Sequence, residues 1–488
     1  MLLKGRRKIT TEHTTDEIKN DFLALAHLIN ESMLVHVENK KEIDYLIDYA
    51  KGNQTILTKE KLVRPEISNK VVINHARMVT RTAVGYFLGT PIQYIQSGGD
   101  VDKEAIDYLN KVVAYEDKAS VDGELGEMQS YVGTAYRIIY TDGEFADEVP
   151  FENKMLNPSN TFVVYTNDIA ERPICGVNYY NTFNSMGTVL KVKYQVYTTY
   201  GQYTIETESN GVVDEMSNVE FVQYNVGGLP IIEYPNNIWR MGDWEMTIGL
   251  MDAINALQSG RLDDIDQIVQ SLIVFINAEI DKDTYDEMRE AGVVMLKNNS
   301  GNPSSVDSIK NSLDQSGMTG YAGELESLLY AILGIPDRNN RSGGGGDTGQ
   351  AVELRDGWAD LEIVARNKEL MFKRAEKQTL RIILNIMNSA MGSEISLMDV
   401  DIKFSRNKTN NLQVKTQSYQ TLIATKTLDP ADCLTIVDLV SDVNEFIERG
   451  KTFWGDEFGG KVKEVERVDL APEATGDEEV IEKDTEVE

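Results

Sequence analysis

From about residue 130 to residue 235 the apolar side chains recur at every second position, whereas on either side they recur every third or fourth. A period of two belongs to a strand and a period of 3.6 to a helix, so the chain is neither all-helical nor all-β. Leu190, Val192, Tyr194 and Val196 alternate with Lys191, Lys193 and Gln195, the pattern of an antiparallel strand with one face in solvent. "YRIIY" is followed by "TDGE", whose Asp-Gly marks a tight hairpin, and "TFVVY", "ICGVNYY" and "VEFVQY" continue the series. Tyrosines dominate this stretch. Cross-strand packing explains them better than a ligand-stacking surface does. The fold class expected is α+β.

The flanking segments read as helices. Residues 15–50 place Ile18, Phe22, Leu25, Leu28 and Ile29 on one face, and 71–94 carries a second helical pattern stopped by Gly89 and Pro91. "NQTILT" (53–58) between them looks like a strand. His75 lies in the second pattern, where a lone histidine is expected to pack rather than to do chemistry. After Gly242 a helix is expected to about 271, with Ile248, Met251, Ile254, Leu257, Leu262, Ile265, Ile268 and Leu272 as its apolar stripe. Asp252, Asn255, Ser259, Asp263, Asp266 and Gln270 form a second stripe that suits a helix facing an aqueous lumen. A strand (272–279), a helix opened by "DKDTYDE", a strand "GVVMLKN" and a helix over 317–334 follow.

The longest pattern covers 350–391, where Leu354, Trp358, Leu361, Ala365, Phe372, Ala375, Thr379, Ile382 and Ile386 keep a spacing near 3.5. Its early half holds Glu353, Asp356, Asp360 and Glu362, and its later half Arg366, Lys373, Arg374, Lys377 and Arg381, a polarity that suits the helix dipole. "DVDIKFSRN" (399–407) reads as a strand and 412–449 as two or three helices. From Glu464 the acids so outnumber the bases that a disordered tail is expected.

Charge narrows the partners. The 488 residues carry 48 basic and 79 acidic side chains, a net of −31, so the surface as a whole repels DNA and anionic membranes and any nucleic-acid role must be local or use the repulsion itself. Two distant cysteines, Cys175 and Cys433, offer no disulfide framework. All four histidines precede residue 76 without zinc spacing, so neither a metal site nor a cofactor is indicated. The basic N-terminus lacks an apolar core after it, and runs such as "SLIVFI" are too short to span a bilayer. These features suit a soluble protein in a reducing cytoplasm.

One motif invites an enzyme reading. In "RSGGGGDTGQ" (341–350), Gly344, Gly346 and Gly349 match G-x-G-x-x-G ahead of a helix. A dinucleotide cradle needs a buried strand before its first glycine, and here "ESLLYAILGIPDRNN" is helical up to Gly334 and Pro336. Glu369 stands at a plausible distance for a ribose contact, as one acid in so charged a helix will by chance. Gly344 and Gly349 also have Walker spacing, but Gln350 and Ala351 replace the lysine and the Ser/Thr. "DKDTYDEMRE" fails as a calcium loop at Tyr285 and Asp286. A nucleotide-binding enzyme using 343–349 is the alternative reading, and a cytoplasmic scaffold without DNA a third.

Four stretches in a specific order carry a resemblance: "NKVVINHARMVTRTAVGYFLGTPIQY", "IGLMDAINALQSGRLDDID", "IPDRNNRSGGGGDTGQAVELRDGWADLE" and "DIKFSRN". The chain resembles the Gp6-like portal proteins of long-tailed double-stranded DNA phages over residues 60–450. The resemblance implies a dodecameric ring at one capsid vertex, a channel through which DNA is packaged and ejected, and no enzymatic activity. By position it implies N-terminal helices and a β-rich wing (1–242), stem helices (243–271 and 317–335) and a small α/β clip (272–316). A tunnel loop (336–349), a long wing helix and strand (350–411), a helical crown (412–455) and an acidic tail (456–488) complete it. Arg338, Asn339, Asn340, Arg341, Ser342, Gly343, Gly344, Gly345, Gly346 and Asp347 would line the channel, with Arg338 and Arg341 open between transient phosphate contact and simple solvation. Asp281, Lys282, Asp283, Lys297, Asn298 and Asn299 of the clip would dock the terminase large subunit and later the head-tail adaptor. Major capsid and scaffolding proteins are the other implied partners, in the virion and in the host cytoplasm during assembly.

Overall fold

The computed structural model describes residues 3–62, 65–97, 103–141, 149–269, 273–276, 282–291, 305–308, 315–337, 358–392, 395–406, 412–425, 428–437, 439–440 and 443–454. The chain divides into two compact units, Met1–Thr409 and Asn410–Glu488. In the second unit, helices Leu412–Ala424, Pro430–Val437 and Val443–Trp454 surround buried Cys433 and Leu434. The acidic stretch from Glu464 lies outside the described residues.

In the first unit the period-two region forms two sheets, and the fold is α+β. Six strands run in the order Ile9–Thr11, Thr161–Thr166, Pro173–Phe183, Val189–Thr198, Gly201–Glu208 and Asn218–Gln223. The first pair is parallel and the rest antiparallel. Val192, Tyr194 and Val196 face inward against Leu25, Leu28 and Ile29. Leu190 departs from the expected alternation and is exposed, because a register shift between Thr182 and Phe183 pairs Phe183 with Val189. Such a bulge reverses which neighbour points inward, and Val189 packs on the core instead. Tyr179 packs across the strands on Tyr194, with ring centroids 5.9 Å apart.

Two helices cover the segment 15–50, as its pattern leads one to expect. Thr15–Asn20 ends where Asp21 turns extended, and the Asp21 carboxylate then caps Phe22–Lys51 by accepting from Leu23 N. "NQTILT" is a 3₁₀ turn (Thr55–Thr58) rather than a strand: it buries Ile56 and turns Thr55 outward to donate to Asp252 at 3.0 Å. The second pattern is also shorter than 71–94. Asn74 caps helix His75–Phe87, and the chain beyond it enters strand Gln93–Gln96, paired with Val400–Lys403.

The largest core gathers around helix Trp358–Met391. Phe372 meets Tyr234, Phe87 and Phe404 at 4.8, 5.7 and 5.9 Å between centroids. Burying such a side chain contributes about 1.5–3 kcal/mol. Leu361, Ala365, Ala375, Thr379, Ile382 and Ile386 are buried as their spacing requires, while Leu354 falls outside the described residues. The same helix inserts Glu376 into a closed charge cluster. Lys118 pairs with Asp122 at 2.7 Å and with Glu376 at 2.8 Å, and Arg137 pairs with Asp122 and, at 3.2 Å, with Glu376. Tyr94 and Tyr234 donate to Glu376 at 2.6 and 2.8 Å. Two bases face two acids, so no net charge is buried.

Candidate functional site: a helical hairpin and its flanking loops

Helix Ile248–Val269 is anchored where the chain enters it. A side chain at Gly242 would strike the carbonyl oxygens of Tyr131 and Ser130, so only glycine fits. Trp244, fully buried, stacks on Tyr49 at 5.6 Å and donates its indole N–H to Thr80 Oγ1 at 3.2 Å. Glu245 accepts from Gly242 N at 2.8 Å and pairs with Arg6. Ile248, Met251 and Ile254 then pack with Leu329 and Tyr330 of the returning helix Gln315–Leu333. Beyond these turns the apolar stripe is not covered: Leu257 is half-buried, and Leu262 and Ile265 are exposed.

The polar stripe turns inward, which overturns the expectation that it faces a lumen. Asp252 accepts from Tyr49 Oη at 2.9 Å and from Thr55. Asn255 Oδ1 accepts from Ile73 N at 2.8 Å, and Ser259 Oγ from Val71 N at 2.9 Å. Asp263 accepts from Asn69 N at 2.6 Å and pairs with Lys59 and Lys61 at 2.8 and 2.6 Å. Asp266 accepts from Asn69 Nδ2 at 2.6 Å. Residues 73, 71 and 69 thus run antiparallel to 255, 259 and 263, and the helix supplies the acceptors that this extended segment lacks in any sheet. That is why 71–73 are not helical. Burial pushes the Asp263 carboxyl up, but Lys59, Lys61 and Asn69 outweigh it and hold it below the ordinary aspartate value.

Outward, the hairpin presents two different faces. Gly249, Ala253, Ala256 and Gly260 line one side of the first helix at spacings that bring them over one another. The second helix exposes Tyr321, Leu328 and Ile332 on one side, and Gly320 and Gly323 away from them. Nothing stands within 4 Å of a side chain built at Gly249, Gly260, Gly320 or Gly323.

The hairpin encloses strands Ile273–Ile276 and Ser305–Ser308, paired antiparallel, and helix Lys282–Ala291. "GVVMLKN", expected as the second strand, lies outside the described residues. Lys282 and Asp283 are exposed in the first turn of their helix, whereas Asp281, Lys297, Asn298 and Asn299 fall outside the described residues. So does every residue from Arg338 to Asp347. The element before that loop is a helix ending at Gly334 (φ +62°), not the strand a dinucleotide cradle needs. His75 is buried edge-on to Tyr330, and burial lowers its pKa. Among the described residues no three His, Cys, Asp or Glu side chains gather as a metal site, and no helix is long and apolar enough to cross a membrane.

The sequence profile of the family described as phage portal protein, SPP1 Gp6-like, matches residues 35–452. The chain belongs to that family. Portal proteins of this family are structural parts of the phage head, and this portal protein is not an enzyme. No curated protein matches its sequence. Among solved structures it is similar to the neck of an empty gene transfer agent particle computed with C6 symmetry (13% identity, 75% of this chain and 89% of that one, TM-score 0.42). It is similar also to the neck of the native particle computed with C12 symmetry (13%, 75% and 88%, 0.42).

Proposed function

We propose that the chain assembles into a closed ring of about a dozen copies at one capsid vertex, the channel through which double-stranded DNA is packaged and ejected. The family match over 35–452 carries this reading. The hairpin's two unlike faces support it: a small-residue face on Ile248–Val269 and a knobbed face of Tyr321, Leu328 and Ile332 suit a head-to-tail contact, and head-to-tail contacts that close give rings. In this reading the hairpin is the stem, and 272–316 is the clip that docks the terminase large subunit and then the head-tail adaptor. Residues 338–347 are the loop at the channel, where a run of glycines suits contact with moving DNA of any sequence. The sheets and the long helix form the wing, 412–455 is the crown, and capsid and scaffolding proteins surround the ring. The site of action is the virion, reached from the host cytoplasm. Native mass measurement of the purified full chain is expected to give a ring of about twelve copies. A stable monomer at micromolar concentration in moderate salt overturns the reading.

A further inference from the structure

The long helix Trp358–Met391 carries a feature that neither its core contacts nor the ring requires. Arg374, Lys377 and Arg381 are all exposed and, at 3.6 residues per turn, fall within about 60° of one another over about 10 Å of helix. Among the described residues none of the three makes a hydrogen bond or an ion pair. Among the described residues, the carboxylates that feel Arg374 and Lys377 are already committed, Glu171 to Lys8 and Asp401 to Lys373. Gln378 is the other exposed side chain on these two turns, so the ridge contains no acid and no apolar group. In a chain of net charge −31 this is a local reversal of sign on a rigid element.

We propose that the Arg374–Lys377–Arg381 ridge binds the phosphate backbone of duplex DNA, without regard to base sequence, at a site separate from the proposed channel loop. The inference rests on the portal reading for the presence of DNA. Three points favour a phosphate backbone over a second copy of the chain. Bases at i, i+3 and i+7 make a ladder of cations at spacings comparable to successive phosphates. A wholly polar, water-accessible ridge is what nucleic-acid interfaces use, whereas seams between permanently associated subunits are apolar. The exposed apolar residues of this helix, Ile363 and Leu370, lie on the same face one to three turns upstream, so the two turns that carry the cations are the wholly polar end of that face. A surface that is otherwise acidic holds DNA off, so binding is confined to the place where the sign reverses.

The test measures binding of the purified full-length ring to a sequence-neutral DNA duplex by fluorescence anisotropy at increasing sodium chloride. The variant is Arg374→Gln/Lys377→Gln/Arg381→Gln, and the control of equal charge change is Lys41→Gln/Lys51→Gln/Lys70→Gln. Each phosphate contact contributes about 0.9 to the slope of log affinity against log salt, so the ridge variant is expected to lose about 2.7 of slope and at least about tenfold in affinity. The control is expected to keep the wild-type slope. A ridge variant that binds like wild type, or a wild-type ring that does not bind at the lowest salt, overturns the proposal. Loss of the ring itself in the ridge variant, read by native mass, also overturns it and makes the ridge a contact between copies. A wild-type chain that is monomeric overturns the ring reading separately.

Discussion

Two helices of this protein do the same thing in different surroundings. Glu376 of Trp358–Met391 and Asp263 of Ile248–Val269 are each answered by two cations from distant chain segments, Lys118 and Arg137 in one case and Lys59 and Lys61 in the other. Around Glu376 every partner side chain is at most 5% exposed and two tyrosine hydroxyls complete the shell. Around Asp263 the two lysines stay 24% and 32% exposed, and the backbone N–H and side-chain amide of Asn69 share the acceptor. The first arrangement is sealed, so breaking it strands charges without water. The second is open, so water can replace what is lost.

The sharpest way to break that contrast is Glu376→Gln. It leaves Lys118 and Arg137 facing Asp122 alone, with one positive charge buried uncompensated, and is expected to cost about 3–5 kcal/mol. Burial pushes the Glu376 carboxyl up, but Lys118 and Arg137, with hydrogen bonds from Lys118 and Tyr94, hold it well below the ordinary glutamate value. Denaturant unfolding at neutral pH, followed by near-ultraviolet circular dichroism, checks the loss. A loss near that of an exposed ion pair, under about 1 kcal/mol, contradicts the sealed-cluster account.

Mild acid leaves both carboxylates ionised and acts on a third group instead. His36 lies between Phe162 and Tyr179, its Nε2 3.1 Å from the Ser159 carbonyl oxygen, with Lys40 and Asp44 nearby. Burial lowers its pKa to about 4, more than the Ser159 carbonyl raises it. The unfolded chain therefore binds this proton before the folded one. The stability it contributes is complete above about pH 6.5 and is lost progressively as pH falls toward 4, about 3 kcal/mol in all. As pH falls from 6.5 to 5 about 2 kcal/mol of this is lost while Glu376 and Asp263 stay ionised. His36→Gln, which can still donate to Ser159, is expected to flatten unfolding midpoints across that window. An unchanged slope excludes His36 as their source.

What the sequence makes legible follows from where each signal is stored. Periodicity resides in neighbours along the chain, so the change from 3.6 to two marks out the sheets, and the spacing of Leu361, Ala365, Phe372 and Ala375 marks the buried face of the long helix. Partner choice resides in contacts that periodicity does not encode. Arg137 and Glu376 are 239 positions apart, and Lys59 and Asp263 are 204 apart. The stripe 252–266 is visibly polar, yet a polar face reads the same whether water or the protein's own extended segment satisfies it. The exposure of Leu190 is illegible for a related reason, because a bulge moves one residue without altering the alternation around it. "VVIN" at 71–74 has helical neighbours and apolar character, and only Asn255 and Ser259 of the helix against it keep its start extended.

The smallest expected effect tests the open arrangement. Asp263→Asn keeps an acceptor for Asn69 N but removes the charge that gathers Lys59 and Lys61. Because both lysines are partly solvated, they rehydrate rather than remain stranded, and the expected loss is about 1–2 kcal/mol. The loss should shrink as salt rises toward about 1 M, since screening has already weakened the wild-type pairs by then. Glu376→Gln has no such relief, because its cations are sealed from the salt. Unfolding of both variants and the wild type at low and high salt therefore reads the difference directly: a salt-dependent gap for Asp263→Asn and a constant one for Glu376→Gln. If the two gaps respond alike, exposure of the cations is not what distinguishes the sites, and the backbone and side-chain donors of Asn69 become the explanation to pursue.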